Sequence, residues 1–353
     1  MFRVSVIGAA IAIAASIAAF AGAASPGNSF TVRDLVADSG PSAPITDPAL
    51  VNGWGLSAGP TTPWWASDNG TNKSTLYNGT GAKQALTVTV AGGPTGTVFN
   101  GSASDFLVTQ NGVSGAARFL FSTQAGTILG WSPTVNATTA IAGVDRSSQK
   151  AVYRGLATLN DRLYATDFHN NRVDVFDASF KPVTLVRGFR DAKLPKGYAP
   201  FGIQALGASI FVTYAKQDAA KRVDVPGGGR GYVDEYTPDG KLVARVASGG
   251  RKNAPPNAPW GLALAPSSFG AFSSDLLVGN FGNGRISAYH DRGNGKWGYA
   301  GQLRRGDGTP IAIDGLWAIA FGNGSAAGPT TSLYFLAGPG GEAHGLFGSI
   351  TAG

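Results

Sequence analysis

Short apolar or alternating runs, separated by Gly, Asn, Asp and Pro, fill the chain from residue 30 onward. None sustains the period of an amphipathic helix, so the pattern predicts many short strands joined by tight turns. Residues 153–177, YRGLATLNDRLYATDFHNNRVDVFD, show the unit most clearly. GLATL, RLYATD and RVDVFD read as three strands. Asn160 and Asp161, then the run from Phe168 to Asn171, supply turn residues that tolerate tight backbone geometry. The same phrase recurs. First strands are expected at GWGLSAG, GLATL, FGIQAL, WGLALAP and GLWAIAF, with Gly155, Gly202, Gly261 and Gly315 as repeated positions.

The wide gap between Gly55 and Gly155 leaves room for one degenerate copy. It is expected from Asp105 to Asp145, with strands DFLVTQ, ARFLFST, TILGWSP and TAIAGVD. Fourth strands follow in most units, including PVTLVRG in the third. Six units of four strands, about 50 residues each, are the signature of a β-propeller. The chain stops after the third strand of its sixth unit, while FTVRDLVA, from Phe30 to Ala37, has no partner of its own. The expected fold is therefore all-β, a six-bladed β-propeller whose ring is closed by the N-terminal strand completing the last blade. Closure of that kind removes an exposed edge and ties down both termini.

The first residues change the picture. Arg3, an apolar run from Val4 to Phe20 and the small residues Ala21 to Ala24 form the pattern of a secretory signal over residues 1–24. The remainder, 25–353, is expected to be a single propeller domain, exported and with no further membrane span. There is no cysteine, which excludes thiol nucleophiles, cysteine zinc sites and iron–sulfur clusters. The net charge is +7, yet no block of five or more like charges occurs, so a nucleic-acid partner is not supported. A monomer is expected.

LYATDFHNNRVDVFD resembles an NHL repeat, and LLVGNFGNGRISAYH matches it with Asn280 in place of the aspartate. The run NGWGLSAGPTTPWWASDNGTNKSTLYNG and the ending HGLFGSI are similar to an uncharacterised family of exported bacterial propellers. Some of its members carry a PEP-CTERM sorting tail. The resemblance implies fold and export, and no settled activity.

Strands in a propeller alternate in direction, so connectivity alone assigns loops to faces. One face should carry the second-to-third-strand turns and the links between blades. At its mouth the rule collects Asn52, Asp105, Arg154, Asp314, Asp68, Asp167, Tyr214, Asn280, His169, Glu342 and His344. The long loops of this face are basic: Arg187 to Lys196, Lys216 to Arg230, Arg251 and Lys252, and Arg304 and Arg305. Such a surplus raises the local potential and draws in anions. A small anionic molecule or a protein is the expected partner, with Asn52, Arg154, Tyr214, Arg222 and Arg230 as ligand-binding candidates.

Two kinds of chemistry fit the mouth. Asp68, Asp167, Asn280 and Asp314 offer oxygen ligands for a hard cation such as Ca2+, and equally serve as caps of their own turns. His169 and His344 are candidates for proton transfer, and equally read as solvated turn histidines. Similar propeller lactonases use a metal there to polarise a carbonyl, and similar lyases acting on cyclic esters place a histidine there. No Gly-x-Ser-x-Gly elbow occurs, and Gly227–Gly231 lacks the lysine of a phosphate loop. The first reading is a binding scaffold. The alternative is a metal-assisted lactonase or lyase.

Overall fold

Most of these runs form strands, and all but one inserted hairpin belong to six sheets around one axis. A computed structural model describes residues 27–186 and 188–353, so the expected signal at 1–24 and the loop residue Arg187 lie outside the described part. From axis to rim, blade 1 comprises Gly53–Ser57, Trp64–Asp68, Lys73–Tyr77 and Lys83–Thr89. Blade 4 comprises Tyr198–Leu206, Ser209–Lys216, Gly231–Tyr236 and Leu242–Ser248. Blade 5 comprises Pro259–Leu264, Leu276–Asn280, Ile286–Asp291 and Trp297–Gln302. Blade 6 comprises Leu316–Phe321, Leu333–Ala337 and Leu346–Ala352, and its outer strand is Phe30–Ala37.

That outer strand runs antiparallel to Leu346–Ala352, from Phe30 opposite Ala352 to Ala37 opposite Leu346. Closure by the N-terminal strand is thus observed. Phe30 also packs 5.0 Å from Phe269 of blade 5, so the seam is buried as well as hydrogen-bonded.

Three strand expectations are corrected. The inner strand of blade 2 is Pro94–Phe99, followed outward by Phe119–Thr123, Thr127–Trp131 and Ile141–Asp145. DFLVTQ instead pairs Leu107–Gln110 with Val113–Ala116 as an inserted hairpin. Its turn is Asn111-Gly112, both at positive φ, the strongest short-range hairpin signal. Asp105 therefore lies outside the axial mouth. Blade 3 holds only Tyr153–Leu159, Arg162–Asp167 and Arg172–Phe176. Its expected fourth strand is reduced to a bridge between Phe176 and Pro182. Finally, the repeated position in blade 6 is Ala318, not Gly315.

The inner strands explain the recurring small residue. A Cβ at Gly261 would lie 2.6 Å from the Trp317 carbonyl oxygen of the next blade. Gly55, Gly96, Gly155 and Gly202 meet the neighbouring inner strand in the same way. In blades 1, 3, 4, 5 and 6 the inner pairing slips at this point, between Gly53 and Leu56, Tyr153 and Leu156, Pro200 and Ile203, Pro259 and Gly261, and Leu316 and Ile319. Such bulges re-aim side chains. The residue before the small one is accordingly available to the axis: Trp54, Thr95, Arg154, Phe201, Trp260 and Trp317.

Candidate functional site

Those residues close the upper end of the axis, on the face carrying the second-to-third-strand turns. Trp54 stacks on Trp317 with ring centroids 3.5 Å apart, and Trp260 meets both edge-on. Phe281 stacks on the other side of Trp317 at 4.0 Å, and Phe168 reaches the cluster through Phe201. Aromatic contacts of this kind contribute about 0.5–1.5 kcal/mol each beyond area burial. Trp260 and Trp317 therefore act as packing and not as open platforms.

Arg154 is embedded in this plug. Its guanidinium carbon lies 5.0 Å from the Trp54 ring and 5.8 Å from Phe168, and only 5% of the residue is exposed. Burial lowers its pKa to about 10, while Asp224 and Glu342 oppose the shift, so it stays charged. Nη2 donates to the Arg222 carbonyl, which ties blade 3 to the long loop of blade 4. The same loop is held by the Gln217 amide donating to Phe168 O at 2.6 Å and by the bridge from Gln217 to Asp224.

A polar ring surrounds the plug. The Asn52 amide donates to Glu342 Oε2 at 2.7 Å, and its oxygen accepts from the Trp317 indole at 3.1 Å. Asp224 is buried, and burial raises its pKa to about 6 against the pull of Arg154. Arg154 Nε, His169 Nδ1 and Asp224 Oδ2 are buried without a hydrogen-bond partner among the described atoms. The structure thus brings together Asn52, Arg154, the His169 turn and the backbone of Arg222.

The proposed metal ligands are placed differently. Asp167 accepts from the Val152 and Asn170 backbone N–H groups at 3.1 and 3.3 Å, and from the Asn170 amide at 2.7 Å. Asn280 accepts from Asn257 N and donates to Arg285 O, and Asp314 accepts from Gly340 N. Each is spent on its own or an adjoining turn. Asp68 is fully buried with both oxygens unpartnered, and burial drives its pKa well above the carboxylate range. Among the described residues no three His, Asp or Glu side chains group closely enough to hold a metal ion.

Tyr214 is buried too, donating to Tyr236, which donates to Asp234. The Arg230 side chain donates to Pro226 O at 3.0 Å. His344 accepts from Asn52 N at 2.9 Å through its carbonyl, but its side chain turns to the closure seam, where one nitrogen, Nδ1, faces both Asp38 Oδ2 at 3.1 Å and Ser39 Oγ at 3.3 Å. A proton relay needs the two ring nitrogens on different partners, so these three groups do not form one. Arg154 was expected at this mouth, whereas Trp54, Thr95 and Phe201 were not, although the letter preceding each repeated glycine in WG, TG, RG, FG and WG is a signal for them.

Fold and site together define a six-bladed propeller whose axis is plugged at one end, with a basic, loop-rich face there. No protein-family model matches the chain. It is 30% identical over 301 residues to uncharacterized protein R648 of Acanthamoeba polyphaga mimivirus, covering 82% of this chain and 73% of that protein. The chain belongs to the R648 family. Uncharacterized protein R640 of the same virus is 32% identical over 230 residues, and the chain spans 42% of its length. Solved structures of a glucose dehydrogenase and of virginiamycin B lyase from Staphylococcus aureus superpose with TM-scores of 0.55 and 0.52. They cover 92% and 91% of this chain, 100% and 99% of their own, at 13% and 12% identity. Likeness at that level speaks for the fold alone.

Proposed function

We propose that the chain is a binding scaffold whose basic, loop-rich face takes an anionic ligand or partner. The observation that supports this most is electrostatic. None of the described cations in its long loops, from Arg190 and Lys196 through Arg222, Arg230 and Arg251 to Arg305, forms an ion pair with a carboxylate. The plug directs attention to the loops, because Trp54, Trp317 and Arg154 fill the end of the axis on this face.

Dextran sulfate is a suitable polyanionic probe. Its affinity should fall with rising salt and drop at least tenfold in an Arg222→Glu/Arg230→Glu/Arg251→Glu variant. Reversal of Lys181, Lys241 and Lys296 in turns of the opposite face should leave it unchanged. Equal losses in both variants would reduce the effect to net charge and remove the proposal. The metal-assisted lactonase or lyase remains the rival. A calcium-dependent rise in melting temperature that Asp167→Ala abolishes would favour it.

Export is proposed on the residues before Ser25 alone. N-terminal sequencing of protein from the native host should find the first 24 residues removed, and an intact Met1 terminus in the cytoplasm would contradict it.

A further inference from the structure

The link between blades 3 and 4 lines an off-axis cleft of about 660 Å³ that runs between these blades, from the Asn171 turn on the basic face toward the Gly240 turn on the opposite face. That volume falls within the range of roughly 300–1,000 Å³ usual for small-molecule sites. Its apolar lining comes from Phe189, Leu194, Pro195, Tyr198 and Pro200. Phe189 is held in place from three sides. Its N–H donates to Gly240 O at 2.8 Å, and its ring packs 5.7 Å from Tyr164 and 5.2 Å from Tyr236. Its φ is 55°, a left-handed conformation costly for a bulky residue, and such outliers persist where the surroundings impose them and cluster at binding sites. Tyr198 stands edge-on to Tyr232 at 4.9 Å and is part-exposed, so one side of its ring remains open to a ligand.

The charges around the cleft are unequal in their commitments. Asp191 is paired with Arg245, which also binds Asp234, and the Tyr214 hydroxyl is taken by Tyr236. Arg190 and Lys196 line the cleft, are exposed, and make no ion pair. Asn171 adds one amide. Aromatic and proline walls beneath two uncommitted cations match a small molecule with a flat ring and an attached phosphate, sulfonate or carboxylate.

We infer that this cleft binds a ring-bearing small anion, and that it is the specific site within the anion-binding face proposed above, on which it rests. Calorimetric titration with 1-naphthyl phosphate tests it, with neutral 1-naphthol as the uncharged counterpart. Binding should be at least tenfold weaker for 1-naphthol, for Arg190→Ala/Lys196→Ala and for Tyr198→Ala. It should be unchanged in Arg304→Ala/Arg305→Ala, cations of the same face away from the cleft. Affinity unchanged in the cleft variants but lost in Arg222→Glu/Arg230→Glu/Arg251→Glu would overturn the cleft while leaving the face. No binding to the parent protein, with dextran sulfate still bound, would also overturn the cleft alone. Circular dichroism of each variant, expected to match the parent, keeps a folding defect from passing as lost binding.

Discussion

The axial mouth and the off-axis cleft use the same kinds of residue, yet in opposite ways. At the mouth, aromatic rings stack on one another, Arg154 is buried against Trp54, and Asn52 is hydrogen-bonded to Trp317 and Glu342. In the cleft, Tyr198 is part-exposed, and Arg190 and Lys196 have no carboxylate partners. Groups already satisfied by the fold hold the ring together. Groups left unsatisfied at the surface are available to something else. Position near the axis is thus a weaker guide to a ligand site than the presence of unpaired groups.

The comparison breaks most visibly at Trp317. Trp317→Ala removes the centre of the plug and should cost about 3–5 kcal/mol of stability, read by urea unfolding. A cost below about 1 kcal/mol would mean that the mouth is not a packing core. Next in size is Asp167→Ala, which leaves the Val152 and Asn170 donors unpaired and should cost about 1–3 kcal/mol.

Asp68 sharpens the contrast, because it closes its strand as Asp167 does but has no partners. Its folded pKa is raised above the ordinary value of 3.8. The stability linked to it is therefore full below that value and is lost as pH rises through the folded pKa. Asp68→Asn should match the parent near pH 4 and be the more stable protein near pH 8, with a flatter pH profile between. An Asp68→Asn protein less stable at both pH values would contradict the reading of Asp68 as an unpaired buried acid. The smallest effect belongs to Arg190→Ala, expected within about 0.5 kcal/mol of the parent in stability, since it breaks no ion pair. A larger loss would show that the rim of the cleft is structural.

Much of the ring was legible in the sequence. The repeated strand phrases fixed the number of blades, and the unpaired FTVRDLVA run pointed to the closure strand, because a propeller leaves few other places for it. Blade 2 was misread because Pro94–Phe99 carries Thr97 where the other blades carry Leu or Ile, and Thr95 where all but blade 3 carry an aromatic residue. Leu107–Gln110 around Asn111-Gly112 offers the stronger strand pattern, although it pairs locally. Connectivity placed Asn52, Arg154 and the His169 turn at the mouth and misplaced Asp105, and it gave none of their partners. Asp68 and Asp167 are the same letter at the same strand end, and only three-dimensional packing supplies one with donors and deprives the other. The cleft was hidden because Phe189 and Tyr198 sit in or beside a link whose sequence reads as loop.

Hydrogen–deuterium exchange with and without 1-naphthyl phosphate compares the two regions directly. Protection on binding should be confined to residues 188–198 and the adjoining turn at Asn171. Protection concentrated instead on the inner strands around Trp54, Arg154 and Trp317 would place the ligand on the axis and contradict the account.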